Sequence, residues 1–97
     1  MGLKAMNDIS TNPSIPVLRA RLLTLIGQIL GKADAHNLPV DARLSELGMS
    51  SIKMVNLMLA VEGEFDLSIP QNEITPENFR SVVSIEVLLA RLLRLKP

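Results

Sequence analysis

Three long stretches of the chain carry apolar residues at helical spacing, and polar segments rich in turn-forming residues separate them. In the first, Leu18, Leu22, Leu25, Ile26 and Ile29 form one stripe, while Arg19, Arg21, Thr24 and Gln28 lie largely off it. This predicts a helix over about 16–32, with Ser14 as its cap, a proline in its first turn and Gly31 at its fraying end. In the second stretch Met54, Met58, Val61 and Phe65 recur at i, i+4, i+7 and i+11, predicting a helix over 51–65. A wheel count puts Leu57, Val61, Met54, Phe65, Met58 and Val55 on its core face and Lys53, Asn56, Ala60, Gly63 and Glu64 towards solvent. Ile52 and Leu59 fall on a shoulder beside Asn56, where periodicity alone says that they widen the core. The third stripe, Val82, Ile85, Leu88, Leu89 and Leu92, predicts a helix from near Ser81 to about Leu95. Arg91, Arg94 and Lys96 place positive charge at its end, where it complements the helix dipole.

The connections are less regular. Residues 33–50 contain Pro39 and no sustained period, and the stretch exceeds the roughly 12–15 residues beyond which structureless loops are uncommon. Leu38, Val40, Leu44 and Leu47 are expected to pin it across the bundle. After Phe65 the residues alternate briefly, but Pro70 ends any strand. Thr75-Pro76-Glu77-Asn78 is a compact helix start, predicting one short turn that ends near Phe79 with Ile74 and Phe79 buried. Residues 1–15 are polar and interrupted by Asn12-Pro13 and Ile15-Pro16, and read as a flexible leader. The expected architecture is all-α: one domain over 16–97, a small four-helix bundle of three long helices and one short, with a long first loop.

Composition agrees with this and narrows the chemistry. Hydrophobic residues make up 47% of the 97, enough for one core, but aromatics are only 2%. Such a core rests on Leu, Ile, Val, Met and Ala, which favours packed helices over a β-sandwich. Ten basic and ten acidic residues cancel, so the clustered positive charge of a nucleic-acid binder is missing. The absence of cysteine excludes disulfides, thiolate metal sites and cysteine nucleophiles. The single histidine, His36, has no second histidine or nucleophile to pair with and reads as a surface or packing residue. Glu62, Glu64 and Asp66 lack the spacing of a calcium loop and read as solvated charges. No apolar run approaches the roughly 20 residues of a membrane span, and the N-terminus has no signal-peptide core, so a cytoplasmic monomer without metal or membrane partner is expected.

One stretch carries more than a helix start. Leu47-Gly48-Met49-Ser50-Ser51-Ile52 places two serines where the second helix needs a cap, at a mildly electropositive end that suits an attached anion. It is similar to the Leu-Gly-x-Asp-Ser-Leu signature of the acyl carrier proteins, the phosphopantetheine-binding family. The order downstream resembles that family too: Glu64-Phe65-Asp66-Leu67-Ser68-Ile69-Pro70, then Ile74-Thr75-Pro76-Glu77-Asn78-Phe79, then Ser81-Val82. The resemblance covers about residues 17–95. It implies that Ser51 takes a 4′-phosphopantetheine arm from coenzyme A through a phosphodiester, added by a phosphopantetheinyl transferase. It also implies that the arm's thiol carries an acyl or aminoacyl group as a thioester, the acyl cargo being the main expectation. The chain is then no enzyme but a shuttle, loaded by an acyl ligase or synthase and serving downstream acyl-transfer enzymes of a fatty acid, polyketide or other specialised pathway.

Two departures shape that expectation. The family's aspartate before the serine is Ser50 here, which leaves a residue able to cap the helix while Ser51 bears the arm. Fatty-acid carriers are typically acidic along the second helix, whereas this one shows Lys53, Asn56 and Gly63 there. With steering by charge weakened, docking is expected to use Met49, Ser50, Ile52, Asn56, Leu59 and Glu62, the apolar members most. The alternatives are an aminoacyl or peptidyl carrier of a nonribosomal pathway, and an unmodified helical interaction module.

Overall fold

The computed structural model describes residues 14–94. Its helices are α1 (Ile15–Leu30), α2 (Ser51–Phe65) and α3 (Val82–Leu93), joined by segments that hold 3₁₀ turns at Ala35–Asn37, Leu44–Leu47 and Gln71–Glu73. No strand occurs among the described residues. The bulk of the expected leader, and Leu95 and Lys96 of the expected last helix, lie outside the described residues.

Each long helix starts behind a serine. Ser14 Oγ accepts from Val17 N–H at 3.4 Å, Ser50 Oγ from Lys53 N–H at 3.2 Å and Ser81 Oγ from Ser84 N–H at 3.1 Å, each satisfying an amide with no partner inside its helix. α1 thus starts at Ile15 behind its Ser14 cap, and Ile15-Pro16 opens the helix instead of breaking structure, because proline at the second position needs no amide bond. The helix ends at Leu30, short of the expected residue 32, where Gly31 turns left-handed at φ 72°.

α1 is the central helix and packs along both α2 and α3. Its Leu18, Leu22 and Ile26 meet Leu57, Val61 and Phe65 of α2 and Val82, Ile85, Leu88 and Leu89 of α3 in one core, closed by Leu44, Met49, Ile69 and Phe79 from the connections. Each fully buried Leu or Ile contributes on the order of 1.5–3 kcal/mol. The first connection lies flat on α1 because Gly27 is bare: a Cβ there would stand 2.5 Å from Ala35 Cβ. As expected, Leu44 is wholly buried, and Leu38, Val40 and Leu47 pack half-buried against the core.

Among the described residues one charged side chain is buried. Glu86 of α3 is buried, and both its oxygens accept from the Arg19 guanidinium on α1, Oε1 from Nη2 at 2.8 Å. This bidentate pair satisfies the carboxylate in a place where an unpaired one would be costly. At the far end of α2, Arg21 donates to Glu64 Oε2 at 2.7 Å and to the Glu64 carbonyl at 2.8 Å, and lies 4.6 Å over the Phe65 ring.

Three expectations change. The short fourth helix is a hydrogen-bonded turn over residues 76–79: Thr75 Oγ1 does accept from Asn78 N–H at 3.2 Å, but Asn78 Nδ2 then donates back to Glu73, and the Arg80 carbonyl accepts from Leu44 N–H. Groups that would extend a helix are engaged outside it. Ile74 is exposed rather than buried, while Phe79 is in the core as expected. The C-terminal charges do not all serve the helix dipole, since Arg91 pairs with Glu73 at 2.8 Å.

Candidate functional site at the start of α2

The approach to Ser51 is a tight reversal. The Leu44–Leu47 turn ends on Gly48, whose φ of 102° is a conformation that a side chain would strain. Met49 N–H then bonds back to the Leu44 carbonyl at 3.0 Å, and Ser50 turns into the helix. Ser50 is the cap, as expected. Its Oγ caps the helix, and the Met54 N–H reaches the Ser50 carbonyl at 2.9 Å. Ser51 is exposed, and its hydroxyl makes no hydrogen bond among the described residues. It is the serine with its nucleophilic oxygen available.

Beside Ser51 a groove of about 500 Å³ runs between the first half of α2 and the turn over 74–80. Met49, Met54, Met58 and Phe79 supply apolar lining, Ser45 and Thr75 hydroxyls, and Arg43 and Arg80 positive charge. No acidic residue lines it. An exposed hydroxyl, a helix start and two guanidiniums in a groove lined by no carboxylate make a donor set that fits an esterified phosphate.

Round the helix from that groove is a second feature. Ile52 is 76% exposed and Leu59 63%, so they stand off the core instead of widening it. Val55, expected on the core face, is 50% exposed and joins them. The reason is the width of the buried arc. Leu57, Val61 and Phe65 span about 240° to 320° on the wheel, and Val55 at about 40° lies beyond its edge, between that arc and Ile52 at about 100°. An apolar patch of Ile52, Val55 and Leu59 results, with exposed Asn56 next to it.

The other docking candidates are placed differently. Ser50 is exposed but committed to its cap. Met49 is only 5% exposed, because the return bond to Leu44 turns it into the core, so it is a lining residue and not a surface contact. Glu62 is half-buried and its Oε2 accepts from Ile69 N–H at 2.8 Å, fastening the chain that leaves α2. With Glu64 engaged by Arg21, two of the three charges read as solvated have structural partners. His36 is exposed, its Nε2 3.1 Å from Thr24 Oγ1, in line with a surface or packing role. No metal-holding cluster occurs among the described residues, and none of their helices is long and apolar enough to cross a membrane.

Sequence reasoning missed Val55 and the two arginines. A narrower core arc would have found Val55. Arg43 and Arg80 are far apart in sequence, and only the fold sets them on one groove.

Comparison with known proteins gives concordant results. Residues 20–92 match the family model described as "Phosphopantetheine attachment site". The chain is 50% identical over 70 residues to aminoacyl carrier protein 1 of Bradyrhizobium diazoefficiens, an alignment covering 71% of this chain and 78% of that protein. It is 48% identical over 73 residues to aminoacyl carrier protein 2 of the same organism, covering 71% and 79%. Among solved structures it resembles a chain in the Bradyrhizobium japonicum glycine:[carrier protein] ligase complexed with glycylated carrier protein. The TM-score there is 0.61 at 47% identity, over 73% of this chain and 97% of that one.

Proposed function

This chain belongs to the phosphopantetheine-attachment family, the carrier proteins, and from that premise we propose that it is an aminoacyl carrier whose arm is attached at Ser51. As a member of that family it is a carrier and not an enzyme, and its cofactor is covalently attached 4′-phosphopantetheine. When attached, that group supplies a terminal thiol on which an amino acid is held as a thioester, chemistry otherwise out of reach of a cysteine-free chain.

The protein's own residues do the positioning. Gly48 allows the reversal, Ser50 satisfies the helix start, and Ser51 is left exposed with an unengaged hydroxyl for the transferase. Ile52, Val55 and Leu59 offer an apolar face beside the arm, and we assign it to docking of an amino acid:[carrier protein] ligase. The observation that carries the reading is the 50% identity to a protein named as an aminoacyl carrier. It supports the aminoacyl alternative over the acyl cargo that the signature alone suggests.

The test is intact-mass spectrometry in two steps. Incubation with coenzyme A and a broad-range phosphopantetheinyl transferase should add one phosphopantetheine to the wild type and nothing to Ser51→Ala. Adding ATP, glycine and the Bradyrhizobium ligase should then add one glycyl group. A modified protein that refuses every amino acid but accepts fatty acyl groups from an acyl ligase would return the cargo to the acyl reading. Absence of the first gain with several transferases would overturn Ser51 as the attachment point.

A further inference from the structure

The groove beside Ser51 holds two charges that nothing else in the fold answers. Arg43 and Arg80 both line it, and the Leu44 N–H donates to the Arg80 carbonyl at 2.8 Å, which sets the two segments side by side. Of the other described arginines, Arg19 has Glu86, Arg21 has Glu64 and Arg91 has Glu73, while Arg94, also without a carboxylate, stands exposed at the end of α3 and away from the groove. Among the described residues Arg43 and Arg80 have none, and the groove contains no acid to serve them. Like charges held in one groove repel, so this arrangement is eased by an anion placed between them.

We propose that Arg43 and Arg80 clamp the phosphodiester that joins the arm to Ser51. The proposal rests on the carrier reading above. Ser51 lines the same groove, and the free oxygens of a phosphodiester lie within two bonds of its Oγ. The planar guanidinium fork matches phosphate oxygens, and each such hydrogen bond is charge-assisted. The clamp also aims the arm. A phosphate held by these arginines leads the arm away over Met54 and Met58 in the groove, and not across the flank where Ile52 and Leu59 stand exposed. The docking patch therefore stays uncovered while the arm is held.

The test compares unmodified and modified protein by NMR, with intact mass confirming modification. Attachment should shift the Nε–Hε signals of Arg43 and Arg80 and leave that of Arg94, an exposed arginine at the end of α3, in place. The ³¹P signal should move in Arg43→Gln and Arg80→Gln but not in Arg94→Gln. The modified wild type should also melt above the unmodified form at low ionic strength, with the gap narrowing as salt is raised and lost in the double Gln variant. A mass gain with unmoved arginine signals would overturn the clamp while leaving the carrier reading intact. Signals that move only on adding the ligase would also overturn it and make these arginines partner contacts. Failure to gain mass would instead overturn attachment at Ser51, and the clamp with it.

Discussion

α2 and α3 both begin behind a serine cap, at 3.2 Å from Ser50 and 3.1 Å from Ser81, and both end on a left-handed residue, Asp66 and Arg94. Their fates then diverge. Over Val82–Leu93, α3 buries Val82, Ile85, Glu86, Leu88 and Leu89. The longer α2 buries only Leu57, Val61 and Phe65, and leaves Ile52, Val55 and Leu59 standing in solvent. A helix that only had to fold would not keep three large apolar residues exposed on one flank. The lesson is that α3 serves the core, while α2 divides its surface between the core, the groove and an exposed apolar flank.

The largest test of that contrast is a pair of truncations. Leu88→Ala on α3 should cost about 2–5 kcal/mol in a denaturant melt, whereas Leu59→Ala on α2 should stay within about 0.5 kcal/mol and instead weaken ligase binding. Equal losses in the two variants would erase the distinction. Next come the caps. Ser81→Ala should lose about 1 kcal/mol in the same assay, since Ser81 is buried and also bonds Ser84 Oγ at 3.0 Å. The exposed cap at Ser50 should lose less on the same change, towards about 0.5 kcal/mol. Similar in size but opposite in sign, Gly63→Ala on α2 should gain about 0.5 kcal/mol, because a Cβ there meets nothing within 4 Å and the backbone is already helical.

The smallest effect concerns acid. The hydrogen bond from Arg91 holds the Glu73 carboxyl below its ordinary value, with the Arg91 charge and Asn78 adding to this against a desolvation that raises it. A depressed folded value means that the contribution is present above the unfolded value and lost as the pH falls through the folded one. Wild type should therefore lose slightly more stability than Glu73→Gln on acidification below the carboxylate range. The difference is small because the pair is largely exposed. Identical pH profiles would show that the latch between the 71–80 segment and α3 contributes nothing.

Much of this was legible in the sequence, for physical reasons that also explain the exceptions. The helix caps and stripes are local, so Ser14, Ser50 and Ser81, and the core rows of Leu22, Leu57 and Leu88, could be read from spacing. Membership of the family could be read because a signature of adjacent residues carries it. What could not be read depends on distant groups. Val55 and Ile74 are apolar but exposed, since whether a residue at the edge of a stripe is covered depends on its neighbours in space. The short helix dissolves into a turn because Arg80 and Asn78 bond to Leu44 and Glu73. Met49 is turned inward by a backbone bond that no pattern announces.

The place of α1 has a consequence for how the protein is made. Of the described helices it leaves the ribosome first, yet its apolar face is covered from both sides by α2 and α3. Arg19 must wait for Glu86, and Leu18 and Leu22 for the α3 residues beyond Ser81. A nascent chain halted after α2 therefore carries Ser51 but only part of a core. Synthesis of α3 is what covers the apolar face that such an intermediate leaves open.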